Sequence, residues 1–246
     1  RAVRYGVERF RTLEPYCRGT IVWQLNDCWP ALSWSMIDVD DRWKPVAYAV
    51  RAAYADRILV LRMEDGEPAL FACNSAAEEW RVSAVVERWT SEQRTGRVDI
   101  EVVVPAGTAS RVPIAAFGAH LRPTELLVAS GGGSRSVLLG DTDRGFPDAP
   151  AAYGVEVTTI DSGIAITLTA RSVLRDIMIA VDEIDQHAHS DTNLVTLLPD
   201  EEETWRVRTR CPEAFTPDRV RAVIRTARAA AVRDEHFRGL AALEAR

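Results

Sequence analysis

The sequence predicts a mainly β protein in which two antiparallel β-sandwiches follow a segment of helix, strand and helix. Three observations predict this fold class. From residue 57 onward, apolar and polar residues alternate with period two, and clusters of Gly, Pro, Asp and Asn separate the alternating runs. Residues 1–54 differ, because their apolar residues follow the spacing of helices on either side of one short apolar run.

The first segment has the order of a parallel α/β unit. Residues 1–14 predict an amphipathic helix that Pro15 closes, and the apolar run 20–25 predicts a strand. Residues 43–54 predict a second helix, with Pro45 in its first turn. A strand of this kind needs neighbours on each side to bury both faces, so the segment implies further strands outside the chain.

The rest of the chain divides into two series of short strands. In the first series, turn residues separate short strands, a pattern typical of an immunoglobulin-like sandwich. A connection rich in Gly, Asp and Pro leads to the second series. The first series is predicted at residues 58–62, 69–74, 80–89, 98–104, 111–115 and 126–130. The second is predicted at residues 154–159, 163–170, 177–181 and 204–210.

These patterns predict four parts, at residues 1–56, 57–140, 141–212 and 213–246. The last is a tail with two open interpretations. Thr216 and Pro217 could be the N-cap and first residue of a helix, and the alanines that follow favour one. The same residues could instead form a partly disordered tail.

Composition excludes several classes of function. A net charge of −6 opposes non-specific nucleic-acid binding, which needs a basic face, and no apolar run is long enough to cross a bilayer. The chain begins with neither a secretory signal nor a methionine, so we expect part of a longer, cytoplasmic protein. The widely spaced Cys17, Cys28, Cys73 and Cys211 are expected to be reduced.

The densest group of potential binding residues is a tryptophan cluster. Four of the seven tryptophans lie between residues 23 and 43, and Asn26, Asp27 and Trp29 directly follow the apolar run. The carboxyl end of a strand is where α/β enzymes place binding and catalytic side chains. We therefore take this cluster as the candidate site.

The cluster closely resembles a motif of the β-mannosidases of glycoside hydrolase family 2. The run Gly19-Thr-Ile-Val-Trp-Gln-Leu-Asn-Asp-Cys-Trp-Pro, followed by Ser33-Trp-Ser, Asp38, Arg42-Trp-Lys-Pro and Tyr48, resembles the last strand, loop and helix of their catalytic barrel. The resemblance implies that residues 1–56 are the last βα unit of a (β/α)8 barrel. The missing N-terminal and barrel domains of the same protein would then be partners of this chain.

A second motif resembles the C-terminal sandwich of the same family. Asp191-Thr-Asn-Leu-Val-Thr-Leu-Leu-Pro-Asp-Glu-Glu is similar to a signature that usually ends in Leu-Leu-Pro-Gly-Glu. Asp200 stands at the position of the glycine, so we expect a turn without easy access to positive φ.

The resemblance implies a retaining enzyme that removes terminal β-D-mannose from manno-oligosaccharides without a metal or organic cofactor. Such enzymes use two carboxyl groups about 5 to 5.5 Å apart. In this family both are glutamates on earlier barrel strands, which would precede Arg1. We therefore expect no catalytic residue here, and neither Glu8 nor Glu14 is given that role. The isolated chain is expected to be inactive.

Four residues are candidates for contact with the sugar. Trp23 would lie at the end of the last barrel strand, where its flat face suits the C–H face of a pyranose. Asn26 and Asp27 could bind substrate or order the loop, and Trp29 could line the rim. Each tryptophan could instead be a buried core residue, and Trp34 and Trp43 are expected to pack between helix and barrel.

Two other functions remain open. A carbohydrate-binding or interaction module would present an exposed strip of aromatic side chains, but Trp80 and Trp89 are nine residues apart and so lie on opposite faces of a regular strand. A family 2 enzyme acting on galactose, glucuronide or glucosamine would share the fold. His187 and His189 could hold a metal, but loop histidines beside acidic residues are the favoured interpretation.

Overall fold

The computed structural model describes residues 1–118, 120–143 and 145–227. Within these ranges the chain is mainly β, with four antiparallel sheets and few helices. It forms two compact units. The first contains Arg1–Met36 and Ala49–Pro147, and the second contains Ile37–Tyr48 and the described residues from Asp148 onward.

The described residues contain three α-helices, α1 (Ala2–Arg11), α2 (Pro45–Ala53) and α3 (Pro217–Val223). Thr216 caps α3 by accepting a hydrogen bond from the backbone N–H of Arg219, as its position before Pro217 predicts. No helix in the described part of the chain is long and apolar enough to cross a membrane. Residues 228–246, the rest of the predicted tail, lie outside the described residues.

The first unit contains two sheets that share one hydrophobic core. Its strands are β1 (Arg57–Glu64), β2 (Glu67–Asn74), β3 (Trp80–Thr90), β4 (Arg94–Val104), β5 (Thr108–Val112), β6 (Glu125–Gly131) and β7 (Ser134–Leu139). They pair in the orders β1-β2-β5 and β4-β3-β6-β7.

The period-two pattern of β3 explains how this core forms. Trp80, Val82, Ala84 and Val86 are buried on one face of the strand. They pack with residues of the other sheet, including Leu59 of β1. Alternate side chains of a strand point to opposite faces, so one strand supplies a buried row and a solvent-facing row. The continuous apolar runs in β1 and β2 follow from the burial of both faces of their sheet.

The hairpin between β6 and β7 depends on glycine. Gly132 and Gly133 have φ angles of 57° and 77°, and positive φ at both central residues defines the tight hairpin turn that suits the twist of paired strands. A Cβ atom on Gly132 would also lie 2.8 Å from the Trp80 ring. Gly131 pairs with Ser134 across this turn, so β6 and β7 form a tight hairpin.

The second unit also places one core between two sheets. Its strands are β8 (Tyr153–Ile160), β9 (Gly163–Ala170), β10 (Leu174–Ile179), β11 (His189–Ser190), β12 (Val195–Leu197), β13 (Glu202–Arg208) and β14 (Ile224–Arg225). They pair in the orders β12-β10-β14 and β11-β13-β9-β8. Trp205 of β13 is fully buried at the centre of this core, with Ile166 of β9 and Ile177 of β10.

A buried ion pair lies in the second unit. The Arg175 guanidinium on β10 donates through Nε to Asp148 Oδ1 at 2.7 Å and through Nη2 to Asp148 Oδ2 at 2.6 Å. The Arg175 side chain is fully buried, and that of Asp148 is 9% exposed. This two-point geometry compensates a charge that would otherwise be costly to bury.

Several sequence predictions differ from the structure, and three of them have a clear physical reason. Residues 20–25 do not form the predicted strand within the described chain, where no strand pairs with them and a strand needs such a partner. The strand expected at 111–115 lies at Thr108–Val112, where it pairs with β2. Asp200 does adopt positive φ, at 70°, because a short polar side chain tolerates this conformation better than most.

We predict that Asp148→Ala lowers the free energy of unfolding of the second unit by about 3 to 5 kcal/mol, since Arg175 loses its carboxylate partner inside the protein. Denaturant unfolding of wild type and variant measures the loss. The double variant Arg175→Met, Asp148→Leu is the control and should recover much of it. A loss below about 1 kcal/mol would show that the pair behaves like an exposed one.

Candidate functional site

The tryptophan-rich segment between α1 and α2 is held by a few specific hydrogen bonds. The Tyr54 hydroxyl donates to the Thr20 carbonyl oxygen at 2.6 Å. The backbone N–H of Met36 donates to the carbonyl oxygens of Gln24, at 3.1 Å, and Leu25, at 3.0 Å. The Tyr54 hydrogen bond therefore holds the start of the segment, and the Met36 hydrogen bonds close the segment on itself without making it part of a sheet.

Asp27 lies inside this segment and orders it. The residue is 8% exposed, and its Oδ1 accepts a hydrogen bond from Ser33 Oγ at 2.5 Å. Ser33 Oγ in turn accepts from the backbone N–H of the fully buried Ser35 at 3.1 Å. Of the two roles considered for Asp27, these contacts favour ordering of the loop. Ser33 was not assigned a role from the sequence, although an Asp and a Ser flanking a turn are a common signal of such bonding.

Asn26 is exposed beside Asp27. Its side-chain amide donates to the Asp27 carbonyl oxygen at 3.1 Å, and its own carbonyl oxygen accepts from the Gln24 side-chain amide at 3.0 Å. The Asn26 side chain is thus turned along the backbone, as asparagine side chains in turns often are.

Trp23 and Trp29 are on the surface. Trp23 is 73% exposed and Trp29 is 66% exposed, so each presents aromatic area to which a ligand could bind. The peptide bond between Trp23 and Gln24 is cis. The alternative that either residue is a buried core tryptophan is wrong for this structure.

The other two tryptophans of the cluster behave differently from each other. Trp34 is exposed, so the expectation that it packs against the fold is wrong within the described chain. Trp43 contacts the ring of Tyr48, with ring centres 5.5 Å apart. The Tyr48 hydroxyl donates to the Ser190 carbonyl oxygen at 3.3 Å, so this pair is part of the packing of the second unit.

The turn before Trp43 is built around Asp38. Its Oδ1 accepts from the backbone N–H groups of Asp40 and Arg42, each at 2.9 Å, and its Oδ2 accepts from Arg42 Nε at 2.8 Å. Burial alone would raise the pKa of Asp38. The backbone hydrogen bonds from Arg42 and Asp40, with the Arg42 side chain, outweigh burial and lower this pKa below its ordinary value.

The two glutamates considered and rejected as catalytic groups are both engaged near α1. Glu8 accepts from Arg4 Nε at 2.7 Å. Glu14 Oε1 accepts from Arg11 Nε at 3.3 Å and from Ser75 Oγ at 2.6 Å. Each carboxylate is therefore bound into a local network of the first unit.

The histidine pair is not part of a metal centre in the described residues, which contain no group of three or more His, Cys, Asp and Glu placed to hold an ion. His187 contacts the Gln186 side chain, and its backbone N–H donates to Asp185 at 3.0 Å. His189 lies in β11 opposite Arg208. Asp185 and His187 therefore take part in the hydrogen bonding of this turn.

Comparison with known proteins gives several close sequence matches, each over a limited stretch. Beta-mannosidase B of Aspergillus niger is 54% identical over 37 residues, which are 15% of this chain and 4% of that protein. Beta-mannosidase B of Emericella nidulans is 43% identical over 51 residues, which are 21% of this chain and 6% of that protein. No protein-family model matches the chain.

The fold matches over a much larger part of the chain. A crystal structure of β-D-mannosidase from Dictyoglomus thermophilum aligns with 92% of this chain at a TM-score of 0.76 and 19% identity. An exo-chitosanase from Amycolatopsis orientalis aligns with 86% of it at a TM-score of 0.62 and 15% identity. The alignments cover 28% and 31% of those proteins, so this chain spans less than a third of either.

The resemblance to family 2 β-mannosidases is confirmed. The similarity combines close identity over a short stretch with a shared fold over nearly the whole chain. Because the structural matches are less than 20% identical, they show a shared fold and no more. The matched β-mannosidase is a longer protein, of which the alignment covers 28%.

We predict that Ser33→Ala loosens the loop that Asp27 orders. The change removes a hydroxyl that bonds to a buried carboxylate, which is expected to cost about 1 to 3 kcal/mol of local stability. Amide hydrogen exchange at Ser35 should become faster as a result. Ser162→Ala, in an exposed turn, is the matched control. Unchanged exchange at Ser35 would mean that the loop does not depend on this hydrogen bond.

We predict a pH-dependent effect of Asp38→Asn. The folded-state pKa of Asp38 lies below its unfolded value of about 3.9, so its stabilising contribution is present above that value and is lost as pH falls through the folded pKa. Denaturant unfolding between about pH 7 and pH 3 should show a destabilised variant near neutrality and a shrinking difference in acid. Asp161→Asn, in an exposed turn, is the matched control.

Proposed function

We propose that this chain is the C-terminal portion of a retaining β-mannosidase that removes terminal β-D-mannose from manno-oligosaccharides. The chain supplies one wall of the sugar site, and the catalytic glutamates belong to another part of the same protein. The observation that carries the proposal is the 43% identity over 51 residues to an enzyme named Beta-mannosidase B.

The exposed tryptophans support a sugar-binding role for the first segment. Trp23 offers a flat apolar face of the size of a pyranose, and its indole N–H can donate one hydrogen bond. Trp29, also exposed, lines the rim of the same segment. Asn26 contacts the sugar after a turn of its side chain, whereas Asp27 acts mainly by holding the loop that carries both tryptophans.

The proposal assigns residues 1–56 to the end of a (β/α)8 barrel and the two β-rich parts to immunoglobulin-like sandwiches that brace it. Residues 20–25 become a strand where neighbouring barrel strands satisfy their backbone groups. The reaction needs no cofactor, since two carboxyl groups suffice for retaining hydrolysis. Four free cysteines support a reducing, cytoplasmic compartment.

A second candidate function is hydrolysis of another β-glycoside. The fold match to an exo-chitosanase favours this alternative, because the same architecture serves an enzyme with a different substrate. A sandwich that binds carbohydrate by itself has less support. Trp80 and Trp205 are buried in the two cores, and Trp89 is half-buried, so none belongs to an exposed aromatic strip.

The decisive experiment compares this chain and its full-length parent on aryl β-mannoside, β-galactoside and β-glucosaminide. We expect the parent to hydrolyse the mannoside best and this chain to hydrolyse none of them. A parent active on one of the other substrates alone would contradict the mannosidase proposal. Turnover by this chain alone would contradict the placement of the catalytic pair.

We predict that Trp23→Ala in the parent lowers kcat/KM for the mannoside about fivefold or more, since stacking of an aromatic ring on a sugar is worth on the order of 1 kcal/mol or more. Trp34→Ala, an exposed tryptophan of the same segment without an assigned role, is the matched control. Equal effects of the two changes would indicate damage to the loop and would remove the evidence for Trp23 as a sugar platform.

A further inference from the structure

The first unit contains a small cleft beside α1. It has a volume of about 170 Å³ and lies where the end of α1 meets the residues after α2 and β2. Cavities of about 150 Å³ accommodate a molecule of one ring. The cleft is lined by Phe10, Arg11, Glu14, Cys17, Arg18, Gly19, Thr20, Tyr54 and Ser75.

Arg11 forms the fixed part of this cleft. Its guanidinium donates to the carbonyl oxygens of Ala53, at 2.9 Å, and Asp56, at 3.1 Å, and to Ser75 Oγ at 2.8 Å. Its Nε also donates to Glu14 Oε1. The Arg11 donors are thus used within the protein, and this residue holds the wall of the cleft in place.

Glu14 has one oxygen that the protein does not satisfy. The side chain is 6% exposed, and Oε1 accepts hydrogen bonds from both Arg11 and Ser75. Oε2 is buried and has no hydrogen-bond partner among the described residues. A buried acceptor without a donor is costly. The last torsion of a glutamate side chain is soft, so the carboxylate can turn this oxygen toward a donor in the cleft.

Arg18 provides an available positive charge in the same cleft. It is exposed, and its guanidinium forms no hydrogen bond or ion pair with the part of the chain that the structure describes. The charges of Arg11 and Glu14 compensate each other, so Arg18 leaves the cleft with one excess positive charge. A ligand with one negative charge would neutralise it.

We propose that this cleft binds a small hydroxy carboxylate of about the size of one sugar ring. The ligand's carboxylate pairs with Arg18, and one of its hydroxyl groups donates to Glu14. Its carbon skeleton contacts the apolar surfaces of Phe10 and Tyr54. This site is separate from the exposed faces of Trp23 and Trp29, and it does not rest on the proposed glycosidase activity.

The test is a titration of this chain with D-gluconate, followed by amide chemical shifts. D-glucose carries hydroxyl groups without a carboxylate, and acetate carries a carboxylate without hydroxyl groups. We expect saturable shifts at Gly19, Thr20 and Ser75 with gluconate, at least tenfold weaker binding of the other two compounds, and weaker gluconate binding as salt is raised.

Two variants complete the test. Arg18→Ala changes an exposed side chain and should weaken gluconate binding at least tenfold, while Arg171→Ala, an exposed arginine of the second unit, should not. Glu14→Gln should weaken binding as well, and Arg18→Ala decides the matter if that variant fails to fold. Absent or scattered shifts, equal binding of acetate, or wild-type affinity of Arg18→Ala would overturn the proposal.

Discussion

Backbone N–H and C=O groups must form hydrogen bonds. In this chain, pairing with a neighbouring strand supplies these bonds for some apolar segments and not for others. Where antiparallel strands pair in register, as along β3 and its neighbours, alternate side chains are drawn into one buried row and a core forms. Residues 20–25 are as apolar as many of these strands, yet no described strand pairs with them. Apolar character alone therefore does not make a strand.

The same requirement explains which parts of the fold the sequence could predict. Most of the long strands were predictable because their pattern depends on residues within each strand, as for Gly163–Ala170, which was predicted with its observed bounds. Ser134–Leu139 was missed. The short strands Val195–Leu197 and Ile224–Arg225 were missed. Each exists because it borders β10, and a two- or three-residue segment carries no periodic pattern of its own.

The candidate site was predictable in composition and less so in geometry. The sequence identified Trp23, Asn26, Asp27 and Trp29 by their density and by the family motif that they resemble. It left open whether Asp27 faces a ligand or the loop, since that depends on a hydrogen bond to Ser33, six residues away. The exposure of Trp34 was not predicted either, because burial depends on what the rest of the chain places over a side chain.

The Arg11 network shows why a loop of this kind can carry binding residues without being part of a sheet. One guanidinium connects the end of α1 to the backbone after α2 and to Ser75 after β2, so the start of the segment is anchored to the core of the first unit. Beyond Thr20, hydrogen bonds through Asp27, Ser33 and Met36 join residues of the segment to each other. An anchored start and an internally bonded loop hold the segment in place while the aromatic faces of Trp23 and Trp29 stay exposed. Binding of a ligand to Trp23 therefore costs less conformational entropy of the loop than binding to an unstructured segment would. This smaller cost allows a small contact area to give a useful affinity.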